Sequence, residues 1–140
     1  MPALDNKVIV RRWYVEALNM QNLAVADEII ADDFVINGEA VGRAGLKQAA
    51  MWVRSVFADI HVTIDEMLAE ADKVVTRWTA RGTHRGTFLG VPPTGKPVIL
   101  HGIHIDRLAG GMIVERWENA DIFGLLQQLG AIPPRRQGGH

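Results

Sequence analysis

Arg81-Gly82-Thr83-His84-Arg85-Gly86-Thr87-Phe88-Leu89-Gly90-Val91-Pro92-Pro93-Thr94-Gly95-Lys96-Pro97 lies between two apolar, alternating segments. Glycine and proline sit poorly inside a strand, so a run this dense in both reads as a long hairpin connection. Working outward, alternation predicts strands near residues 73–84 and 97–108, with further strands near 60–69 and 112–121. The Gly110-Gly111 pair suits a two-residue turn, whose centre needs positive φ. Ahead of the strands the period is helical. Val8, Ile9, Trp13, Ala17 and Leu18 mark a helix over 5–19, a second short helix covers 23–30, and a brief strand covers 34–37. A third helix starts near Arg43, with Leu46, Ala49, Ala50, Val53, Val56 and Phe57 in one stripe. A short closing helix over 122–129 ends on Gly130. Helices first and antiparallel strands after is an α+β order.

A chain of 140 residues makes one domain, placed at residues 1–132, with 133–140 as a flexible tail that holds the basic pair Arg135-Arg136. A formal net charge of −1 gives no concentrated basic patch, so neither nucleic acid nor an anionic membrane is an expected partner. The absence of cysteine removes disulfide and thiolate chemistry together. With no apolar leader-like run at the start and no stretch of bilayer-spanning length, a cytoplasmic protein is the expectation.

A tight Gly110-Gly111 turn pairs Ala109 with Met112, which sets His104 opposite Trp117, Gly102 opposite Asn119 and Leu100 opposite Asp121. Leu100, Gly102, His104 and Asp106 then share a face with Glu115, Trp117, Asn119 and Asp121. Ile99, Ile103, Ile105, Met112 and Val114 form the other face, interrupted by His101 and Arg107. The mixed face reads as a ligand pocket and the aliphatic face as a dimer interface. A one-residue slip would exchange these assignments.

The wording of the motifs resembles the SnoaL-like polyketide cyclases of the NTF2-like superfamily. The matching features are Gly82-x-His84-x-Gly86, the loop Gly90 to Lys96, Gly111-x-Ile113-x-Glu115-x-Trp117, Asp121 four residues on, and Gln128-Leu129-Gly130. The resemblance implies a cone of three N-terminal helices packed in a curved, mostly antiparallel sheet, with homodimers formed through the outer sheet face. It further implies cofactor-independent acid/base chemistry, most characteristically an intramolecular aldol cyclisation, on a small hydrophobic or polycyclic carbonyl ligand. Competing readings are a non-catalytic binding protein of the same fold, or a hydrolase, ester cyclase or isomerase using the same pocket.

By the resemblance Asp121 is the general acid/base; by its position before residues 122–129 it is equally a helix N-cap, and both roles draw on the same oxygens. His104 is the second candidate, a donor to a substrate oxygen or a partner of Asp121. It stands four strand positions away, roughly 13 Å. His84 belongs to the signature loop and fits a loop-fixing hydrogen bond. Tyr14 resembles the first-helix tyrosine that serves as oxyanion donor in ketosteroid isomerases. Asn37 stands where those isomerases hold their aspartate base, which argues against steroid isomerisation and leaves a substrate-positioning amide. Epoxide hydrolases of this fold use an Asp-Arg-Asp set with Arg-x-Asp on one strand; the nearest pair, Asp106-Arg107, points to opposite faces. Trp52, Trp78 and Phe88 supply aromatic lining, and Trp117 and Asn119 share the expected pocket face with Asp121. His101 and His104, three apart on a strand, cannot chelate one metal ion, and Ser55 lacks a nucleophile turn.

Overall fold

The computed structural model describes residues 3–133. Most of the expected tail therefore lies outside the described residues. Helix α1 (Ala3–Arg12) runs into a π-helical segment (Trp13–Asn19), a 3-10 turn (Leu23–Val25) and α2 (Ala26–Ile29). Strand β1 (Ile30–Ile36) precedes α3 (Gly42–Val56). Then come β2 (His61–Glu70), β3 (Lys73–Thr83), β4 (Pro97–Ala109), β5 (Met112–Ala120) and α4 (Ile122–Gln128). The sheet order is β1-β5-β4-β3-β2, with β1 parallel to β5 and every other pair antiparallel. This is the expected α+β arrangement of helices against one curved sheet.

Two elements differ from their sequence reading. The first helix widens from Trp13 onward, and the wider turn buries Trp13, Tyr14 and Ala17 together. Its end docks through Asn19, whose side-chain amide donates to the Val62 carbonyl and accepts from the Val62 N–H, both at 2.8 Å. Strand β1 begins four residues earlier than expected. Asp32 and Asp33 are exposed on it, while Ile30, Ala31 and Phe34 are buried, so the poor strand formers cost little there.

One core cluster unites Val10, Trp13, Tyr14, Ile29, Ile30, Phe34, Val74 and Ile113. A second joins Val56, Phe57, Phe88, Val98, Leu125 and Leu129, where the 84–96 connection meets α4. Among the described residues, no helix is long and apolar enough to cross a membrane.

Candidate active site in the concave sheet face

The β4–β5 hairpin decides which side chains reach the interior. Gly110 (φ 59°) and Gly111 (φ 80°) make the turn, and Ala109 pairs with Met112 as expected. Leu108 then pairs with Ile113 but Arg107 with Glu115, so Val114 is an extra residue, a β-bulge. Beyond it the partners are Asp106 and Arg116, Ile105 and Trp117, His104 and Glu118, Ile103 and Asn119, Gly102 and Ala120. A one-residue shift turns every side chain of a strand over. Trp117 and Asn119 therefore stand exposed on the outer face, which corrects their expected place in the pocket. Arg116, Glu118 and Ala120 take the inner face. Charge gives the reason: an unbulged hairpin would set Asp106 against Glu115, two carboxylates directly opposed. The bulge gives Asp106 an arginine and places Arg107 3.1 Å from Glu115.

A cavity of about 300 Å³ lies between the π-helical segment, α3, α4 and the inner sheet face. That is at the lower end of the roughly 300–1,000 Å³ usual for small-molecule sites. Leu18, Leu46, Val53, Ala80, Leu100 and Leu125 make its wall largely aliphatic. Of the residues expected from sequence, Tyr14, Trp52, Trp78, Phe88 and His104 line it. Trp52 stacks on Phe88 at 5.8 Å between ring centroids. Trp78 lies across Gly102, its cross-strand partner, and a Cβ there would collide with the indole. Glycine at 102 is what lets the indole lie flat against the sheet beside His104, 5.3 Å away between centroids.

The polar groups form one chain. Tyr14 Oη and His104 Nδ1 are 2.6 Å apart, and His104 Nε2 is 2.6 Å from Glu118 Oε1. The His104 side chain is 6% exposed and that of Glu118 40%, so solvent reaches the chain from the glutamate end. Burial, and then the charge of Arg116, holds His104 below its ordinary value of 6.5. The hydrogen bond from His104 holds the Glu118 carboxyl below its ordinary 4.5, against the cost of burial. Burial pushes the Tyr14 hydroxyl up. With Glu118 held ionised and His104 neutral, the arrangement that satisfies both bonds has His104 donating to Glu118 from Nε2 and accepting from the Tyr14 hydroxyl at Nδ1. Glu118 is the residue that sequence reasoning missed. The opposed carboxylates of the unbulged register were the signal that could have found it.

Beneath this chain Arg116 Nε donates to Asp106 Oδ1 at 2.6 Å, and an Nη donates to Asp106 Oδ2 at 3.3 Å. The two side chains are 1% and 0% exposed. The guanidinium carbon sits 5.5 Å from the Trp13 ring centroid and 6.0 Å from that of Tyr14. Burial opposes its charge, but Asp106 and neighbouring groups more than offset this and keep Arg116 protonated.

The remaining expected residues stand outside the cavity. Asn37, at φ 49°, accepts from the Glu118 N–H at 2.9 Å and donates to the Glu118 carbonyl at 3.4 Å, so it braces the glutamate's main chain. His84 is fully buried and holds Thr94 across the loop, Nδ1 to Oγ1 at 2.9 Å, the fixing bond expected of it. His101 lies on the outer face beside Thr79, opposite in direction to His104. Asp121 is exposed and accepts from the Gly124 N–H at 2.9 Å as the N-cap of α4. It lies between the lining residues Ala120 and Ile122 but does not line the cavity itself. Its Oδ1 serves the cap and the side chain stands outside the cavity, which corrects its expected place at the centre of the site. Asp121→Ala is expected to lower stability by about 1 kcal/mol, measured by denaturant unfolding, with ligand-induced stabilisation unchanged.

Residues 8–129 match the family model described as SnoaL-like polyketide cyclase. The nogalonic acid methyl ester cyclase of Streptomyces nogalater is 28% identical over 131 residues, covering 89% of this chain and 97% of the relative. Among solved structures, IdmH of Streptomyces antibioticus is 33% identical with a TM-score of 0.80, covering 89% of this chain and 98% of its own. AclR of Streptomyces galilaeus reaches a TM-score of 0.86 at 26% identity, covering 97% of this chain and 87% of its own. With the motifs, the fold and the family match in agreement over most of its length, the chain belongs to the SnoaL-like polyketide cyclase family.

Proposed function

We propose that this protein is a cyclase-type enzyme that moves a proton next to a carbonyl of a hydrophobic or polycyclic substrate, most characteristically to drive an intramolecular aldol closure without a cofactor. Glu118 accepts the proton: the C–H bond beside the carbonyl breaks, its electron pair passes onto the carbonyl oxygen, and the enolate carbon attacks a second carbonyl within the same molecule. The alkoxide so formed takes the proton back. His104 and Tyr14 hold the Glu118 carboxylate in place and set its protonation. The observation that carries this reading is the Tyr14–His104–Glu118 chain on the wall of a largely apolar cavity. Backed by buried His104, the carboxylate is held at the cavity wall where a bound substrate itself would displace the water that reaches it. The test is deuterium uptake from heavy water into a panel of β-dicarbonyl compounds and hydroxylated aromatic ketones. Enzyme-dependent exchange is expected; ligands that raise the thermal midpoint without any exchange would make this a binding protein.

A second reading is hydrolysis. Arg116 and Glu118 form an Arg-x-Glu pair on one strand with Asp106 opposite Arg116, a set that Asp106-Arg107 alone could not make. Epoxide opening without carbon-bound deuterium uptake would favour it.

The pH dependence follows from the lowered values of His104 and Glu118. Both groups bind protons more weakly folded than unfolded, so stability and activity rise with pH and are lost on acidification. Activity is expected to hold at pH 6.5, the ordinary histidine value, and to fall below it as the pair takes up a proton. The pH profiles of exchange and of the unfolding midpoint read this directly.

The outer face carries Leu68, Ile103, Ile105 and Trp117, all exposed, and Leu68, Val75, Ile105 and Trp117 pair across four strands in one row. A second copy of the chain covers this row in our reading. Ile105→Glu is expected to turn a dimer into a monomer by sedimentation, while a monomeric wild type would remove the proposal.

A further inference from the structure

An enolate needs a donor for the oxygen that becomes negative, and the residue the resemblance offered for this, Tyr14, has no proton to spare. Its single O–H is committed to His104 Nδ1, because Nε2 carries the imidazole proton toward Glu118. Resting on the enolising reading above, we infer that Arg116 is the substrate-oxygen-binding residue of this site, using the Nη that Asp106 leaves free. Asp106 engages Nε and one Nη. Among the described residues the other Nη makes no hydrogen bond, and Arg116 lines the cavity.

The spacing fits. Arg116 and Glu118 are successive residues on the inner face of β5, so their Cα atoms stand roughly 7 Å apart along the strand. A carboxylate contact on the substrate carbon and an Nη contact on the neighbouring oxygen, each about 3 Å, bracket a C–C=O unit that spans about 2.4 Å from bond lengths near 1.5 and 1.2 Å. One enolisable carbonyl can thus touch both groups at once. The bidentate bond to Asp106 and the flanking rings of Trp13 and Tyr14 hold the guanidinium still. It is therefore set before charge develops, the condition under which such a donor contributes most. The substrate class that follows is a ligand with a carbonyl flanked by an acidic C–H, bound neutral and ionised in place.

The test separates this assignment from the enolising reading by measuring an anion's binding without turnover. In a Glu118→Gln background, which removes the competing carboxylate, a nitrophenol series and its methyl ethers are titrated against the parent and against a variant that also carries Asp106→Asn and Arg116→Gln. That pair keeps a neutral hydrogen bond in place of the ionic one. Phenolate absorbance reports ionisation of the bound ligand. The parent is expected to bind the phenolate about 10- to 100-fold more tightly than the neutralised variant, with the methyl ethers bound equally by both. Should the neutralised variant fail to fold, Asp106→Leu with Arg116→Met replaces it. Equal phenolate binding, or a parallel loss for the methyl ethers, would overturn the assignment whatever the exchange activity of the wild type.

Discussion

Glu118→Gln will lower enzyme-dependent deuterium exchange by about 10²- to 10⁴-fold, the span typical of removing a positioned general base. The amide fills the same space on β5, and Asn37 still braces its main chain on both sides, so the fold and the cavity persist. What the amide lacks is an oxygen basic enough to hold the substrate's proton. It also upsets the chain behind it, since an amide accepts from His104 Nε2 more weakly than a carboxylate does. Single-turnover exchange together with the thermal midpoint distinguishes this chemical loss from unfolding. A variant of unchanged midpoint that retains the wild-type exchange rate would remove Glu118 from the mechanism.

Arg116→Met will destabilise the fold by about 3–5 kcal/mol, because it leaves Asp106, 0% exposed, as an unpaired buried charge. Asp106→Leu is expected to cost a comparable amount by stranding the guanidinium under Trp13 and Tyr14. The double variant is expected to recover most of the loss, as apolar replacements for buried ion pairs often do. Denaturant unfolding of the four proteins makes a complete cycle. Additive losses in the double variant would show that the pair is not energetically coupled. The double variant removes both Arg116, which lowers His104, and Asp106, which raises it by less, so the acid limb of its pH profile is expected to move upward only by the difference.

Most of the fold was legible because its signals are local. Alternation marked β2 to β5 to within a residue or two, Gly110-Gly111 fixed the turn, and Ala109 met Met112 as the turn required. The face assignment on β4 held as well, placing His104 and Asp106 inward and His101 outward. The site was less legible because one unpaired residue, Val114, inverts β5 after it. A bulge leaves no composition signal of its own. Its trace was electrostatic, in the conflict between Asp106 and Glu115 that it relieves. Asp121 shows a different limit: a cap and a catalytic carboxylate look alike in one sequence, and here one oxygen caps α4 while the residue lies outside the cavity lining. Tyr14 reaches the cavity on a helical segment widened to π geometry, and the apolar spacing of residues 5–19 carried no sign of the widening.

The most direct measurement sets Glu118→Gln beside Asp121→Asn in the same heavy-water exchange assay, each with its unfolding midpoint. Asp121→Asn is expected to keep exchange within a few-fold of the wild type, whereas Glu118→Gln is expected to lose it with its fold intact. Exchange that survives in folded Glu118→Gln and vanishes in folded Asp121→Asn would contradict the account and return the acid/base role to the residue at the cavity's rim.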